Sequence, residues 1–196
     1  MLAFDLARKL FEGSVPMDIP FEPMPFQTSV INKIVPLGSH VIGLPMGTGK
    51  TPTTVKVIIG QKHKSTLIVP TDRALIAWLR TMWQWDPGYL KRFVVLAKKY
   101  SKDVRAEFWR SHAKRKDLHV ICNWNLIARD LQHIQDNKIR FSCIAGDEYH
   151  KFMRNRDTKS HKFLKAMKAD VNLLVSGSPM TKGAIEALEL ARLEEQ

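Results

Sequence analysis

The stretch GLPMGTGKT at residues 43–51 decides the fold, because it follows a short apolar run and precedes a segment with helical spacing. Similar runs, rich in β-branched and apolar residues, recur along the chain. They are HVIGLP (40–45), STLIVP (65–70), RFVVLA (92–97), HVICNW (119–124), FSCIAG (141–146) and VNLLVSG (171–177). Continuous apolar runs of this length are typical of strands that are buried on both faces of a sheet.

The segments between these runs have the spacing of amphipathic helices. In TDRALIAWLRTMWQW (71–85), Thr71 or Asp72 can cap a helix, and the apolar residues fall on one stripe. These are Leu75, Trp78, Leu79 and Met82. Alternating strands and helices predict a mostly parallel sheet with helices on both faces. We therefore expect one α/β domain over residues 1–196, with an N-terminal helix or extension in 1–20 and a motif-bearing core in 21–185.

The GTGKT part of the opening stretch is typical of a phosphate-binding loop. Its glycines let backbone N–H groups approach phosphate oxygens, which a β-carbon would obstruct. In such loops the lysine contacts the β- and γ-phosphates, the Thr hydroxyl is a ligand of Mg²⁺, and the helix that follows directs its positive end at the anion. The strict pattern has a glycine where this chain has Leu44. We expect a nucleotide and Mg²⁺ to be bound by Gly47, Thr48, Gly49, Lys50 and Thr51.

A pair of acids ends the fifth apolar run, in the sequence IAGDEYH (144–150). At a phosphate site, a carboxylate at the end of a strand can hold Mg²⁺, which is the role expected of Asp147. Its neighbour Glu148 can orient and polarise the attacking water. Because ligands bind open α/β sheets at the carboxyl ends of the strands, we expect GTGKT, DEYH and SGSP (176–179) to form one site.

Composition limits the classes of function. The net charge of +12, from 31 Lys and Arg against 19 Asp and Glu, favours a polyanionic partner. No apolar run is long enough to span a bilayer, so we expect no membrane partner. Cys122 and Cys143 lie in apolar runs, and buried free thiols indicate a reducing, intracellular and cytoplasmic location.

Two segments concentrate the positive charge. Residues 91–116 contain ten Lys and Arg and residues 151–168 contain seven. We expect the second run to bind nucleic acid, because it follows the acidic motif and so begins at the active edge of the sheet. The first run is expected to form a helix on an outer face and to contribute less.

The motifs GTGKT, DEYH and SGSP, in this order and spacing, resemble motifs I, II and III of superfamily 2 helicases, and especially of the Swi/Snf-type DNA translocases. That group has a proline-aromatic-glutamine before motif I, which here is PFQ (25–27), and a strand ending in proline before a Trp-containing helix. Its acidic box continues into a basic stretch, as DEYHKFMRNRDTKSHK does here. The resemblance covers roughly residues 20–185 and implies a RecA-like P-loop ATPase lobe.

The resemblance also implies roles for individual residues. Gln27 would recognise the adenine edge with Phe26 near the base, while His150, Ser176 and Ser178 would couple hydrolysis to the grip on DNA. Nucleic acid would be contacted by Thr71, Asn123, Trp124, Lys151, Arg154, Arg156 and Lys159. The chain departs from the family pattern in DEYH for DEAH, in serines for the threonines of motif III, and at Leu44.

Family members have two RecA-like lobes with ATP between them, and the sequence after motif III holds no arginine motif of a second lobe. We therefore expect the first lobe of an ATP-dependent DNA helicase or translocase, with weak ATPase activity until a second lobe is supplied in cis or in trans. Two alternatives stay open: a stand-alone nucleotide-dependent DNA-binding regulator, and another P-loop enzyme such as a small-molecule kinase. DNA is expected rather than RNA, and the compact loops favour a bacterial or phage source.

Overall fold

The computed structural model describes residues 1–20, 22–153, 159–166 and 169–177 of the chain. Short helices and six strands alternate along these residues. The helices are α1 (Ala3–Phe11), α2 (Pro25–Ile34), α3 (Lys50–Gly60), α4 (Leu75–Trp85), α5 (Pro87–Leu90), α6 (Lys102–Ser111), α7 (Trp124–Asp136), α8 (His150–Met153) and α9 (Lys159–Ala166). The strands are β1 (His40–Gly43), β2 (Thr66–Val69), β3 (Phe93–Leu96), β4 (His119–Cys122), β5 (Phe141–Asp147) and β6 (Ala169–Ser176).

The six strands form one sheet in the order β1-β6-β5-β2-β4-β3. All five neighbouring pairs are parallel. Each apolar run that the sequence singled out forms one of these strands, so the predicted parallel α/β fold is confirmed. Parallel pairing places the loops that follow the strands at one edge of the sheet and the loops that precede them at the opposite edge.

Helices cover both faces of the sheet, as predicted. On one face, side chains of α1 to α5 pack against all six strands in a single apolar cluster. A second cluster joins α6, α7 and α9 to the other face. Cys143 belongs to the first cluster and Cys122 to the second, both are free and buried, and burial raises the pKa of each thiol.

Two predicted helices form with small differences in extent. The N-terminal helix α1 packs Ala3 and Ala7 into the core, and the carbonyl of Met1 accepts a hydrogen bond from Val95 N at 2.9 Å. Helix α4 begins at Leu75, later than the sequence suggested, because residues 72–74 form a turn. The hydroxyl of Thr71 caps that turn by accepting from Ala74 N at 3.3 Å. Within the described residues, no helix has the length and apolar character needed to cross a membrane.

The basic run 91–116 contains a helix, α6, as the sequence predicted, but one of its cations is buried and not on an outer face. Arg105 is buried in α6 and donates from Nε and Nη2 to the Asp130 carboxylate of α7 at 2.9–3.0 Å. The indole of Trp109 donates to the same carboxylate at 3.1 Å, and the hydrogen bond to Asp130 raises the pKa of Arg105. This buried pair joins α6 to α7, so Arg105 is a structural residue.

Candidate active site

Three loops that follow strands meet at the carboxyl edge of the sheet. The loop after β1 leads into Lys50, the first residue of α3, while Asp147 is the last residue of β5 and Gly177 follows β6. A β-carbon at Gly177 would lie 3.1 Å from Lys50 Nζ, so this glycine lets β6 end against the lysine. Asp147 pairs in register with Val175 of β6, two residues before Gly177, so the end of β5 lies beside the same glycine.

The loop after β1 has the backbone that phosphate binding requires. Gly47 and Gly49 both have φ of +79°, a left-handed conformation that L-amino-acid side chains disfavour. Helix α3 begins at Lys50, so its unpaired N–H groups and its positive dipole end face this loop. The ammonium of Lys50 donates to the carbonyl of Pro45 in the same loop at 3.3 Å.

The departure at Leu44 has a structural explanation. The Leu44 side chain is buried and belongs to the apolar cluster beneath the loop, where it anchors the loop entry. The turn itself comes from Gly47 and Gly49, so a glycine at position 44 is not needed for the loop to fold back.

Gln27 contacts the phosphate-binding loop from α2. Its Nε2 donates to the carbonyl of Thr48 at 2.8 Å, and its Oε1 accepts from Met24 N at 2.9 Å, which caps the helix. A β-carbon at Gly49 would lie 2.5 Å from that Nε2, so the glycine also makes room for the amide. The contact of Gln27 with adenine stays a prediction, because these two hydrogen bonds leave one N–H and one oxygen lone pair of the amide available. Phe26, one residue earlier, is exposed.

Asp147 is held rigidly at the end of β5. The indole of Trp78 in α4 donates to its Oδ2 at 3.1 Å, and the indole of Trp124 in α7 donates to its backbone carbonyl at 2.7 Å. Burial raises the pKa of Asp147, while the Trp78 hydrogen bond and the charge of Lys50 oppose that rise. The carboxylate is thus desolvated but provided with a donor and a nearby cation, as suits a metal ligand.

Glu148 lies at the turn after Asp147 and faces a more open environment. Its φ of +50° is in the left-handed region, where a non-glycine residue is strained. Its Oε2 lies 3.2 Å from Lys151 Nζ and 3.6 Å from His150 Nε2. The other ring nitrogen of His150 shares a 2.7 Å hydrogen bond with the hydroxyl of Ser176 at the end of β6. Motifs II and III are therefore in direct contact through His150 and Ser176.

The arrangement fits a magnesium nucleotide. Among the described residues, no group of three or more His, Cys, Asp and Glu side chains could hold a metal ion by itself. Mg²⁺ keeps several waters and is bound by one or two protein oxygens together with phosphates, so Thr51 at the start of α3 and Asp147 match such a site. ATP would be held by the loop amides and Lys50.

A family model described as the SNF2-related domain matches residues 41–193, which include the phosphate-binding loop and the acidic motif. The chain belongs to this family. A search of curated protein sequences found no match.

Two solved structures are similar to this SNF2-related domain in fold. The Sulfolobus solfataricus SWI2/SNF2 ATPase core in complex with dsDNA has a TM-score of 0.68 at 20% identity, with 89% of this chain and 36% of that chain covered. The Pyrococcus furiosus Hef helicase domain has a TM-score of 0.61 at 19% identity, with 94% and 37% covered. The chain therefore spans little more than a third of the length of each of these structures. The similarity in fold confirms the RecA-like lobe predicted from sequence.

The residues expected to contact nucleic acid differ in their accessibility. Thr71 follows β2 and Asn123 follows β4; the Asn123 amide donates to Asp72, so these two loops are joined. Lys151 and Lys159 are exposed. Arg154, Arg156 and Ser178 lie outside the described residues.

Trp124 is a correction to the sequence prediction. It is 1% exposed, stacks on Phe152 and lies beneath Gly146, where a β-carbon would come within 2.9 Å of its ring. Its indole donates a hydrogen bond to the backbone carbonyl of Asp147, so Trp124 supports the acidic motif from within the core. A side chain this buried cannot contact nucleic acid.

Trp78 is a site residue that sequence reasoning placed only in the helix core. The sequence predicts its place in the Trp-containing helix after β2. It does not predict the hydrogen bond to Asp147, because the two residues are 69 positions apart. Because α4 follows the loop of Thr71, Trp78 also links that loop to the Asp147 carboxylate.

Trp78→Phe is expected to weaken Mg²⁺-dependent binding of an ATP analogue about threefold to tenfold, since the hydrogen bond to Asp147 is lost. The loss of ring volume in the core is shared with the control variant below. Fluorescence titration with Mg²⁺ and with EDTA measures this. Trp83→Phe is the matched control, because the Trp83 indole donates to the Val15 carbonyl at 3.1 Å, away from the site. An equal loss in EDTA would contradict a role through Asp147.

Proposed function

We propose that this SNF2-related domain is the ATP-binding first lobe of a nucleic-acid motor, which hydrolyses ATP and moves on DNA once a second RecA-like lobe is present. The observation that carries the proposal is the convergence of Lys50, Asp147 and Gly177 at one edge of the sheet. These residues come from three loops and are up to about 130 positions apart, and the motifs that hold them are the ones a phosphoryl-transfer site needs.

Each side chain has a distinct task in this proposal. Lys50 and the loop amides hold the phosphates, while Asp147, fixed by two indoles, and Thr51 hold the cation. Bound MgATP supplies the γ-phosphoryl group and its leaving group. Glu148 orients the attacking water and accepts its proton. Because an arginine finger from another lobe can increase turnover by about a thousandfold or more, this lobe alone should hydrolyse ATP slowly.

The contact between His150 and Ser176 supports coupling between hydrolysis and nucleic acid. His150 lies between Glu148 and the end of β6, with its two ring nitrogens facing the two. A change in the position or charge of Glu148 during hydrolysis would therefore shift the His150 ring and its hydrogen bond to Ser176 in motif III. Lys151 pairs with Glu148 and begins the basic run 151–168, so the same turn joins the catalytic acid to the proposed nucleic-acid track.

Duplex DNA is the proposed partner. The net charge of +12 favours a polyanion, and the similar Sulfolobus solfataricus core is in complex with dsDNA. The exposed Lys151 and Lys159 lie at the two sides of the segment that holds Arg154 and Arg156.

Reversal of Arg154 and Arg156 to glutamate is expected to flatten the salt dependence of duplex binding. Three to five phosphate contacts give a log–log slope of about −3 to −4.5, and each lost contact removes about 0.9. Fluorescence anisotropy with a labelled duplex between 50 and 200 mM salt measures the slope, and ATP-analogue titration verifies that the nucleotide site is intact. An unchanged slope would place the track elsewhere.

The ATPase assay tests the whole proposal. A fusion of this chain to a second RecA-like lobe should hydrolyse ATP faster when duplex DNA is added. Nucleotide binding without DNA-stimulated hydrolysis in any such fusion would favour the regulatory module, and absence of nucleotide binding would reject the proposal.

A further inference from the structure

A row of exposed cations lies at the edge of the sheet opposite to the nucleotide site. The four loops that lead into β2, β3, β4 and β5 contain nine of the chain's 31 Lys and Arg residues. All nine side chains are exposed: Lys62, Lys64, Lys91, Arg92, Lys114, Arg115, Lys116, Lys138 and Arg140. We call this set the amino-edge row. The only acid in these loops is Asp117.

The amino-edge row is continuous. Strands β5, β2, β4 and β3 are consecutive neighbours in the sheet, so their entry loops lie side by side. Three clefts of about 610, 310 and 580 Å³ run along these loops. The first two clefts share Arg92, and the last two share Lys64 and Arg115.

The cations of the row are largely uncompensated. Within the described parts of the chain, Arg115 alone among the nine forms an ion pair, with Asp117 at 3.0 Å. Two other acids line the clefts: Asp86, whose carboxylate already caps α5 by accepting from Tyr89 N at 2.7 Å, and Asp170. A concentrated positive potential therefore covers this edge.

We infer that the amino-edge row binds the phosphate backbone of a second nucleic-acid segment, separate from the one on the proposed motor track. Adjacent strands are about 4.8 Å apart, so four strand entries form a row about 14 Å long before the side chains extend from it. Duplex DNA carries about one phosphate per 1.7 Å of axis, so several phosphates face a row of this length. An acidic protein fits less well, since protein interfaces have an apolar and aromatic centre, and Leu2 is the one exposed large hydrophobic side chain among the residues that line the clefts.

The two edges are too far apart for one straight duplex. Strand β5 has seven residues and so separates them by about 20 Å, which exceeds the Debye length of about 8 Å at physiological salt. The sheet and its helices fill this space. A chain with both surfaces would therefore hold two duplexes at once.

Helix dipoles offer a purely structural explanation of the same cations. Helices α3, α6 and α7 end at this edge, and Lys or Arg near a helix C-terminus stabilises it by about 0.3–1 kcal/mol. If that were their whole role, charge reversal would lower thermal stability and leave nucleic-acid binding unchanged.

A bridging assay distinguishes these explanations. One biotinylated duplex is fixed on beads, a second fluorescent duplex is added, and the 196-residue chain is tested for capture of the second by the first. The row variant reverses Lys114, Lys116, Lys138 and Arg140 to glutamate. The control variant reverses four exposed cations outside the row, Lys9, Lys33, Lys102 and Arg129, with the same change in net charge.

Wild type and the control variant should bridge the duplexes, and the row variant should lose at least tenfold in bridging while it still binds one duplex and an ATP analogue. Bridging by the row variant at the control level would overturn the inference, whether or not its melting temperature falls. Polyglutamate serves as a second probe. If the row variant bridged DNA at the wild-type level but bound polyglutamate more weakly than wild type, the row would be assigned to an acidic protein instead. The inference rests on the proposed function, because bridging needs the motor track as the other DNA site. Failure of the proposed function appears separately, in ATP binding and in an unchanged salt slope of the Arg154 and Arg156 variant, whereas failure of the inference appears as equal bridging by the row and control variants.

Discussion

Glu148→Gln is expected to lower ATP turnover about a hundredfold to ten-thousandfold in the motor completed by a second lobe, while ATP affinity stays within about twofold of wild type. Glutamine keeps the size of the side chain, but its amide cannot accept the proton of the attacking water. Glu148 is suited to this task because it follows the fixed Asp147 directly, and its side chain is 21% exposed and so open to water.

Steady-state hydrolysis of ATP and titration with a fluorescent analogue measure the two quantities separately. Glu107→Gln is the control, since Glu107 is an exposed acid that pairs with Arg110 on α6 at the protein surface. Because the substitution also removes the charge beside Lys151, duplex affinity should be recorded for both variants. Undiminished turnover in Glu148→Gln would show that another group activates the water.

The fold was predictable because buried parallel strands leave a strong local signal. Each of the six strands is a continuous apolar run, since both faces of the sheet are covered by helices. The phosphate-binding loop and the acidic motif were equally visible, because their chemistry depends on residues that are consecutive in sequence. Parallel pairing then brings the loops together without further information.

The supporting contacts were not predictable, because they join residues far apart in sequence. Trp78 and Trp124 reach Asp147 from helices on opposite faces, 69 and 23 positions away. Nothing local distinguishes these two tryptophans from other core residues, so the sequence does not correct the resemblance, which implies that Trp124 contacts nucleic acid. Gln27 was assigned to adenine, and its contact with Thr48, 21 residues later, shows that it also shapes the loop.

Charge was the least informative local signal. The run 91–116 is continuous in sequence, but the fold divides it among a buried ion pair at Arg105, a surface pair between Lys98 and Asp72, and the amino-edge row. The row itself is assembled from four loops, of which three contain only two cations each. Only the strand order shows that these loops are neighbours.

Lys50→Ala is expected to weaken binding of ATP to this chain at least tenfold. The ammonium is the one cation in the loop sequence GTGKT, and a hydrogen bond to a charged group contributes about 1.5–3 kcal/mol, or about tenfold to a hundredfold in affinity. The side chain is free to make this contact at little cost, since its present partner is the neutral carbonyl of Pro45 at the long distance of 3.3 Å.

Titration of a fluorescent ATP analogue into both proteins measures the effect. Lys50→Met should lose as much as alanine, because it keeps the apolar stem and lacks the charge, whereas Lys50→Arg should retain part of the affinity. Lys33→Ala on α2 is the control, as an exposed lysine outside the site. In the completed motor the turnover of Lys50→Ala should fall by a further hundredfold or so, since Lys50 also stabilises charge on the transferred phosphoryl group. Equal affinities in wild type and both neutral variants would show that GTGKT is a structural turn here, and the ATPase proposal would then have no binding site to rest on.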